Sequence, residues 1–466
     1  MTEVTERVVR QLETLPDQPA SDVEGRDAVA ALARADQWPS VAAGTTLGFE
    51  SALELVFDRL APKSFNNPGP GFLAYVPGGG LVHSALADLI SNVLNRYLTV
   101  WEAAPGLVQL EANVVRWFCR MFGYGPGSGG YLSSGGSLAN LSAVAAARTD
   151  KLGENFLRGT IYASAQAHHS VLKAASLAGF PSRNVRTLDV DDRFRLRLDE
   201  LERRIERDAA DGFTPFLVVA NAGSTDFGAV DPLGELADLC SRHGLWLHVD
   251  AAYGGFFALT ERGRDAFSGI DRADSITLDP HKGLFLPYGT GCLVVRDVTT
   301  LHRAHAGTGD YMPHLRDDPD QPDFCSLSPE LSRGFRGLRV WLPVVMAGVE
   351  AFRDALDEKL DLARWAADEL RTIPGLEIVA EPQLSILAFR LESPDADPQQ
   401  NRHLNQRLLE AINRRRRVYM SGTRFGERFV LRICILNFRT HKDRMEACLE
   451  DIRAAVAEVR TTSATG

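Results

Sequence analysis

Lys282 stands between His281 and Gly283 in Ser275–Gly291, SITLDPHKGLFLPYGTG. The run Ile276–Leu278 predicts a short buried strand, ended by Asp279–Pro280. A lysine just past a buried strand either reaches solvent or is kept as a nucleophile. Asp250 closes another such run in HVDAAYGG. Buried carboxylates are rare unless paired. The small residues after it, Ala251, Ala252, Gly254 and Gly255, leave room for something flat or bulky. His168 and His169 follow a third run, Thr160–Ala163. Finally, SSGGS at Ser133–Ser137 is a turn leading into an Ala-rich helix. A glycine turn at a helix N-terminus presents free N–H groups to an anion.

An amine, an acid, an imidazole and an anion-binding turn are the parts needed to hold pyridoxal phosphate. Lysine forms a Schiff base with the aldehyde once it has lost its proton. The acid keeps the pyridine nitrogen protonated, which makes the ring an electron sink. An imidazole over the ring stacks and can move a proton. The turn neutralises the phosphate.

These groups need a scaffold that delivers them to one place. Thr160–Ala163 predicts a strand, Ser170–Gly179 a helix, Val185–Leu188 a strand and Leu198–Ala209 a helix. Phe216–Asn221 then reads as strand, Leu233–His243 as helix and Leu245–Asp250 as strand, with Ser275–Leu278 and Gly291–Val295 as further strands. Strands interleaved with helices imply crossover units and a mostly parallel sheet, an α/β fold. Ligands collect at the carboxyl ends of such strands. Asp250 and Lys282 fall at or just past ends of that kind, and Ser224–Thr225 come after another.

Upstream, Leu107–Phe122 predicts a helix with Leu107, Leu110, Val114, Phe118 and Met121 on its apolar face. Gly71–Gly80, GFLAYVPGGG, is turn-rich, with Phe72 and Tyr75 expected exposed. It reads as a plain loop or as a pocket wall, since glycine lets a backbone approach a ligand closely. Thr5–Leu15 and Phe49–Leu60 are short amphipathic patterns without a core of their own, so this arm is expected to lie against another surface, such as a second subunit. Leu301–Phe324 lacks a period and reads as a long loop, functional or disordered. Leu338–Leu370 predicts helix leading out of the large domain. Leu376–Val379, Ser385–Arg390, Gln400–Arg414, Phe429–Ile435 and Lys442–Val459 read as strand, strand, helix, strand and helix, an α+β domain. The expected division is a helical arm over 1–75, a large domain over 76–350 and a small domain over 351–466.

Composition narrows the function. The chain has 466 residues, 45% apolar and 24% charged, with ordinary globular balance. A net charge of −10 argues against non-specific nucleic-acid binding. Arg414–Arg417, the dense basic run, reads as a solvated helix end. The six cysteines form no CxxC pair, so neither a metal site nor a disulfide framework is indicated, and a reducing cytoplasm is the simplest setting. The N-terminus has no apolar signal region. The uncharged stretches Ser64–Ala87 and Met121–Ala147 are broken by Gly, Pro and Ser, so no membrane span is expected.

Taken in order, several motifs resemble those of the aromatic-L-amino-acid decarboxylase family, the group II pyridoxal-phosphate decarboxylases of fold type I. They are FLAYVP at Phe72–Pro77, WEAAPGLVQLE at Trp101–Glu111, SSGGS at Ser133–Ser137 and SAQAHHSV at Ser164–Val171. HVDAAY at His248–Tyr253, PHK at Pro280–Lys282 and SRGFRGLRVW at Ser332–Trp341 complete the set, which spans nearly the whole chain. The resemblance implies a seven-stranded, mostly parallel large domain, a small C-terminal domain and an N-terminal arm. It implies that Lys282 is the Schiff-base lysine, Asp250 the partner of the pyridine nitrogen and His168 the stacking histidine. Ala252 would meet the other ring face, Thr225 would lie near the ring, and Gly136, Ser137 and His281 would contact the phosphate. Tyr75, Val76, Pro77 and Trp101 would line the substrate pocket. Tyr311, in DYMPH, matches a loop tyrosine that returns a proton to the substrate carbon. The family also implies a homodimer with shared active sites.

Some positions depart from the pattern. Asp279 stands where the family usually has asparagine, and Gly283 where it has tryptophan. Val76 replaces an aromatic before Pro77, with Gly78 beyond. Smaller walls there imply a bulkier ring or a looser site. His169 reads as a helix cap, Tyr253 as core, and Arg333, Arg336 and Arg339 as a solvated face or subunit contact. The expected reaction is decarboxylation of an L-amino acid, aromatic by resemblance, to the amine. The rivals are oxidative deamination to an aldehyde, another fold type I reaction such as transamination, and a cofactor-free binding scaffold.

Overall fold

Apolar runs such as Phe216–Ala220 build the middle of the main sheet. The computed structural model describes residues 2–34, 48–307, 320–394 and 396–463. Tyr311 and half of the expected loop, 308–319, lie outside them; its first residues instead complete the helix Thr299–His305. The strands are β1 (Gly129–Ser133), β2 (Gly159–Ser164), β3 (Val185–Leu188), β4 (Thr214–Asn221), β5 (Trp246–Asp250), β6 (Ser275–Leu278) and β7 (Gly291–Val295). They lie in the order β1-β7-β6-β5-β4-β2-β3. β2 runs parallel to β3 and β4, β4 to β5, and β5 to β6, while β7 opposes both β6 and β1. Phe216–Ala220 of β4 are at most 1% exposed, as a sheet covered on both faces requires.

β1 was not legible as a strand. Its sequence, GGYLS, carries no alternation, and a Cβ at Gly130 would meet the Leu293 carbonyl at 2.0 Å. The next helix, Gly136–Lys151, buries Ala139, Ala143, Ala146 and Ala147. Small side chains let it lie close against the sheet. The helix Pro105–Met121 buries Val114 and Phe118 as expected and packs Leu107 and Leu110, half-buried, against the core; Val108, Glu111, Ala112, Val115 and Cys119 widen the buried face beyond the expected stripe, and Met121 is half-exposed.

Two compact units emerge. Gly78–Arg364 with Ala380–Ala388 forms one and carries the large sheet. Met1–Pro77, Trp365–Val379 and Phe389–Gly466 form the other. The expected Leu338–Leu370 helix appears as Arg336–Arg371, broken at Gly348, whose φ of +77° is non-helical. A second sheet orders β8 (Leu376–Ala380), β9 (Ile386–Leu391), β10 (Ser421–Phe425) and β11 (Arg428–Cys434) as β10-β11-β9-β8. β10 escaped the sequence reading because it is a half-exposed edge strand, SGTRF, without a buried face.

Inside the second unit the N-terminal arm has its own contacts. Ala20 N donates to Arg416 O, and Phe65 stacks on Tyr419 at 4.7 Å. Phe72, expected exposed, is fully buried, whereas Tyr75 is 54% exposed. Arg414–Arg417 are paired rather than simply solvated: Glu458, Asp451, Glu24 and Glu450 meet them.

Candidate active site

The carboxyl ends of β1, β2, β4, β5 and β6 share one edge of the large sheet, as their directions and registers require. Asp250 ends β5 and is 7% exposed. Its register partner on β6 is Thr277, two residues before Asp279. Asp250 Oδ1 accepts the Ala252 N–H at 3.1 Å, and Oδ2 accepts Asn140 Nδ2 at 2.8 Å.

Asn140, buried in the Gly136–Lys151 helix, sets the hydrogen-bond directions around the acid. A carboxylate only accepts hydrogen bonds, so the amide nitrogen must face Asp250. The same Nδ2 donates to Ser170 Oγ at 2.9 Å. Ser170 is therefore free to donate to His168 Nδ1 at 2.8 Å, and the Ser170 backbone N–H points at the same nitrogen. Neutral His168 thus carries its proton on Nε2. Burial lowers its pKa, against the opposing pull of Asp250.

On its other side Asn140 Oδ1 accepts from His248 Nε2 at 3.0 Å. His248 Nδ1 then accepts from Ser275 Oγ, which itself accepts from Trp246 Nε1. Burial pushes the His248 pKa down to about 4, which keeps this chain neutral. Asn140, Ser170 and His248 were not singled out from sequence. Asn140 is a lone polar residue in an Ala-rich helix, and Ser170 and His248 stand beside more conspicuous groups; such residues show their value only when their partners are placed.

Past β6 the chain turns through Pro280–Gly283. Lys282 Nζ meets Asp279 Oδ2 at 2.8 Å, and the Lys282 side chain is 22% exposed. His281 Nδ1 donates to the Thr290 carbonyl at 2.7 Å, and its Nε2 lies 3.7 Å from Asp279 Oδ2. Burial lowers the His281 pKa. The Gly/Ser turn is immediately adjacent. A Cβ on Gly136 would sit 3.1 Å from Asp279 Oδ2, 3.2 Å from Ala252 and 3.4 Å from Thr277. Ser137 is exposed beside it.

Lys282, His281, Gly136, Ala252 and Asp250 are therefore gathered, with His168 joined through Ser170 and Asn140. Thr225, half-exposed, comes after β4 at the same sheet edge. The backbone there is fixed by Asp231, which takes the Asn221 N–H and is itself pushed up to about 6 by burial. Tyr75, Val76 and Pro77 belong to the other unit. Trp101 opens a short turn whose N–H donates to Asp323 at 2.7 Å.

A Cβ on Gly283 would meet Phe256 at 2.7 Å, so this departure from the family pattern answers to core packing. Two expectations need correction. Arg333, Arg336 and Arg339 do not form a solvated face. Arg333 is fully buried against Glu111 at 2.5 Å, Arg336 forks onto Glu330, and Arg339 pairs with Asp88. Arg333 and Arg336 both hold the Leu132 carbonyl, next to the Gly/Ser turn. His169 stands at the helix N-cap position without a side-chain cap bond. Tyr253 is core as expected, 3% exposed, with its hydroxyl on Ser385.

The residues fit pyridoxal phosphate. A buried acid at a strand end, a half-buried neutral imidazole, a reachable lysine and a glycine turn opening a 16-residue helix are all at hand. Asp279 is the exception in the set: its Oδ1 is buried without a hydrogen-bond partner among the described residues, and an acceptor-only carboxylate gives a phosphate no hydrogen bond. Among the described residues no His, Cys, Asp and Glu cluster could hold a metal, and no helix is long and apolar enough to cross a membrane.

Comparison with known proteins gives the family. Residues 58–392 match the pyridoxal-dependent decarboxylase conserved domain. An aromatic-L-amino-acid decarboxylase of Bacillus atrophaeus is 37% identical over 392 residues, covering 84% of this chain and 82% of its own. An L-2,4-diaminobutyrate decarboxylase of Acinetobacter baumannii is 26% identical over 441 residues, 90% of this chain and 86% of its own. Among solved structures, Oryza sativa TDC with PLP and tryptamine superposes with a TM-score of 0.91 at 25% identity, covering 98% of this chain and 96% of that one. The chain belongs to the pyridoxal-dependent decarboxylase family.

Proposed function

We propose that this protein uses pyridoxal phosphate to remove the α-carboxyl group of an L-amino acid, aromatic side chains being the preferred class. The observation that carries the reading is the hydrogen-bonded chain His168–Ser170–Asn140–Asp250, set beside Lys282 and the Gly/Ser turn. The aromatic preference is supported by the Bacillus atrophaeus relative. Bound there, the cofactor supplies the electron sink for the broken carbon–carboxyl bond.

Asp250 would hold the ring nitrogen, its carboxylate already oriented by Asn140 and the Ala252 N–H. His168 would lie on one ring face, with Nε2–H available, and Ala252 on the other. Thr225 would stand near the ring. Gly136, Ser137 and His281 would hold the phosphate, and Lys282 would hold the aldehyde carbon. Tyr75, Val76, Pro77 and Trp101 are the proposed walls for the side chain. Tyr311 is proposed to return the proton to the substrate carbon.

A second copy of the chain is the proposed partner. The helix Val82–Leu94 exposes Leu86, Leu89, Ile90 and Val93, and the neighbouring helix exposes Trp341, Val345 and Met346. Arg339 ties the two through Asp88. Apolar surface of this extent marks an interaction site, and closed dimers are the commonest assembly. Free cysteines suit a reducing cytoplasm.

The test is carbon dioxide release across a panel of L-amino acids, with Lys282→Ala as control. The variant is expected to lose both turnover and the visible absorption of lysine-bound cofactor; retention of both sinks the reading. Hydrogen peroxide and ammonia, measured in parallel, would reveal the aldehyde-forming route. Sedimentation of a fully active monomer would remove the dimer.

A further inference from the structure

Asp279 is the odd member of the site. It is an acid, 2% exposed, at the end meant for a phosphate. Its Oδ2 pairs with Lys282 Nζ at 2.8 Å and lies 3.7 Å from His281 Nε2. Its Oδ1 has no hydrogen-bond partner among the described residues. The carboxylate faces the first turn of the Gly136–Lys151 helix: Cβ atoms on Gly136 and Gly135 would sit 3.1 Å from Oδ2 and 4.0 Å from Oδ1. That turn is where a helix attracts negative charge.

A carboxylate can only accept hydrogen bonds, so it offers a phosphate oxygen nothing. It also adds a negative charge where the ligand brings its own. Lys282, meanwhile, must leave its ion pair before Nζ can act as a nucleophile. We propose that Asp279 is a built-in competing anion: in the cofactor-free protein it lies beside the helix N-terminus and holds Lys282, and it weakens the hold on the cofactor phosphate. The role rests on the pyridoxal-phosphate reading of the site. Its consequence is a protein whose cofactor loading is set by one side chain, separately from the later chemistry.

The test uses cofactor-stripped protein and two probes that cannot attach to lysine, pyridoxine 5′-phosphate and unphosphorylated pyridoxine, with affinities from protein fluorescence. Asp279→Asn should bind the phosphorylated probe at least about tenfold tighter than wild type, since like charges a few ångström apart in partly buried surroundings easily supply that factor. Pyridoxine itself should bind the two proteins alike. Asp279→Ala, which removes the charge without adding a donor, should gain less and stands in if the Asn variant does not fold. Equal or weaker binding of pyridoxine 5′-phosphate by the neutral variant overturns the proposal, as does an equal gain for pyridoxine. Wild type that takes up pyridoxal phosphate with a visible band would leave the function intact in that event. Wild type that takes up neither cofactor nor probe overturns both.

Discussion

Replacing Asn140 by leucine should strongly destabilise this protein. The residue is 2% exposed and makes three side-chain hydrogen bonds, at 2.8 Å to Asp250, 2.9 Å to Ser170 and 3.0 Å to His248. Leucine fills similar volume and favours the helix, so neither a cavity nor a propensity loss confuses the result. What remains is loss of one bond to a carboxylate, about 2 kcal/mol, and two neutral ones, about 1 kcal/mol each, with His248 Nε2–H left only its longer contact to Thr277 Oγ1 at 3.4 Å. The sum is about 4 kcal/mol, a large part of the 5–15 kcal/mol that holds roughly any domain together. In urea, with a slope of about 3 kcal/mol per molar, the midpoint should fall by more than about 1 M at unchanged slope. Nitrogen NMR of labelled histidine should meanwhile show His168 protonated on Nε2 in wild type, and a mixture of tautomers in Ser170→Ala. A loss below about 1 kcal/mol in Asn140→Leu, or His168 found with its proton on Nδ1, would refute the hydrogen-bond directions argued from the acceptor-only carboxylate.

Acid should weaken the fold earlier than its surface charge suggests. Burial pushes both His248 and His305 down to about 4, whereas an unfolded histidine titrates near ~6.5. Below that value the unfolded chain binds protons the native one refuses, so stability is complete above pH ~6.5 and falls toward pH 4. Two such groups give a loss on the order of 5 kcal/mol, and a flat urea midpoint from pH 7 to 5 contradicts it. Gly283→Ala should cost about 1–3 kcal/mol by overpacking Phe256 while leaving the order of substrate preference alone. A stable variant with altered preference would place Gly283 at the substrate pocket instead of the core. Arg333→Met should cost about 3–5 kcal/mol by leaving Glu111 charged and buried, and adding Glu111→Leu should recover most of it. A double variant as weak as the single one would show that the pair is not what matters.

The strands that carry the chemistry were legible because burial on both faces forces continuous apolar runs. β6 and β7, buried throughout, appear with the bounds their sequences suggest; so do the helix Leu233–His243 and the edge strand β3, whose VRTL keeps β-branched residues although only Leu188 is buried. Asp250 and Lys282 stood out because a charge at the end of such a run needs a reason. The misses share a cause as well. β1 and β10 are edge strands, and glycine or polar residues suffice there. Arginines at three-residue spacing look the same whether they face solvent or a buried acid. Only Gly337, where a Cβ would meet Glu111 at 2.7 Å, lets the two helices close enough to hide Arg333. Asn140 is invisible for a related reason: an asparagine inside an Ala-rich helix ordinarily reads as exposed.

That helix explains why so much of the site hangs on residues without reactive groups. Gly136 and Asn140 are one turn apart on the same face, roughly 6 Å along the axis. One rod therefore carries both the anion end of the site and the amide that steers Asp250. Ser142, half a turn on, bonds His305 at 2.6 Å, just before the segment that holds Tyr311. Any shift of the helix would move the phosphate turn and the acid's partner together, and neither could be corrected alone. Its position is set from below by Ala139, Ala143, Ala146 and Ala147, which permit close approach to the sheet. It is set at its start by Arg333 and Arg336, which hold the Leu132 carbonyl just upstream of the turn. The alanines and the buried arginines thus determine the distance between acid and phosphate end as surely as Asp250 and Gly136 do. Substitution in that layer should disturb cofactor binding before it disturbs the shape of the pocket.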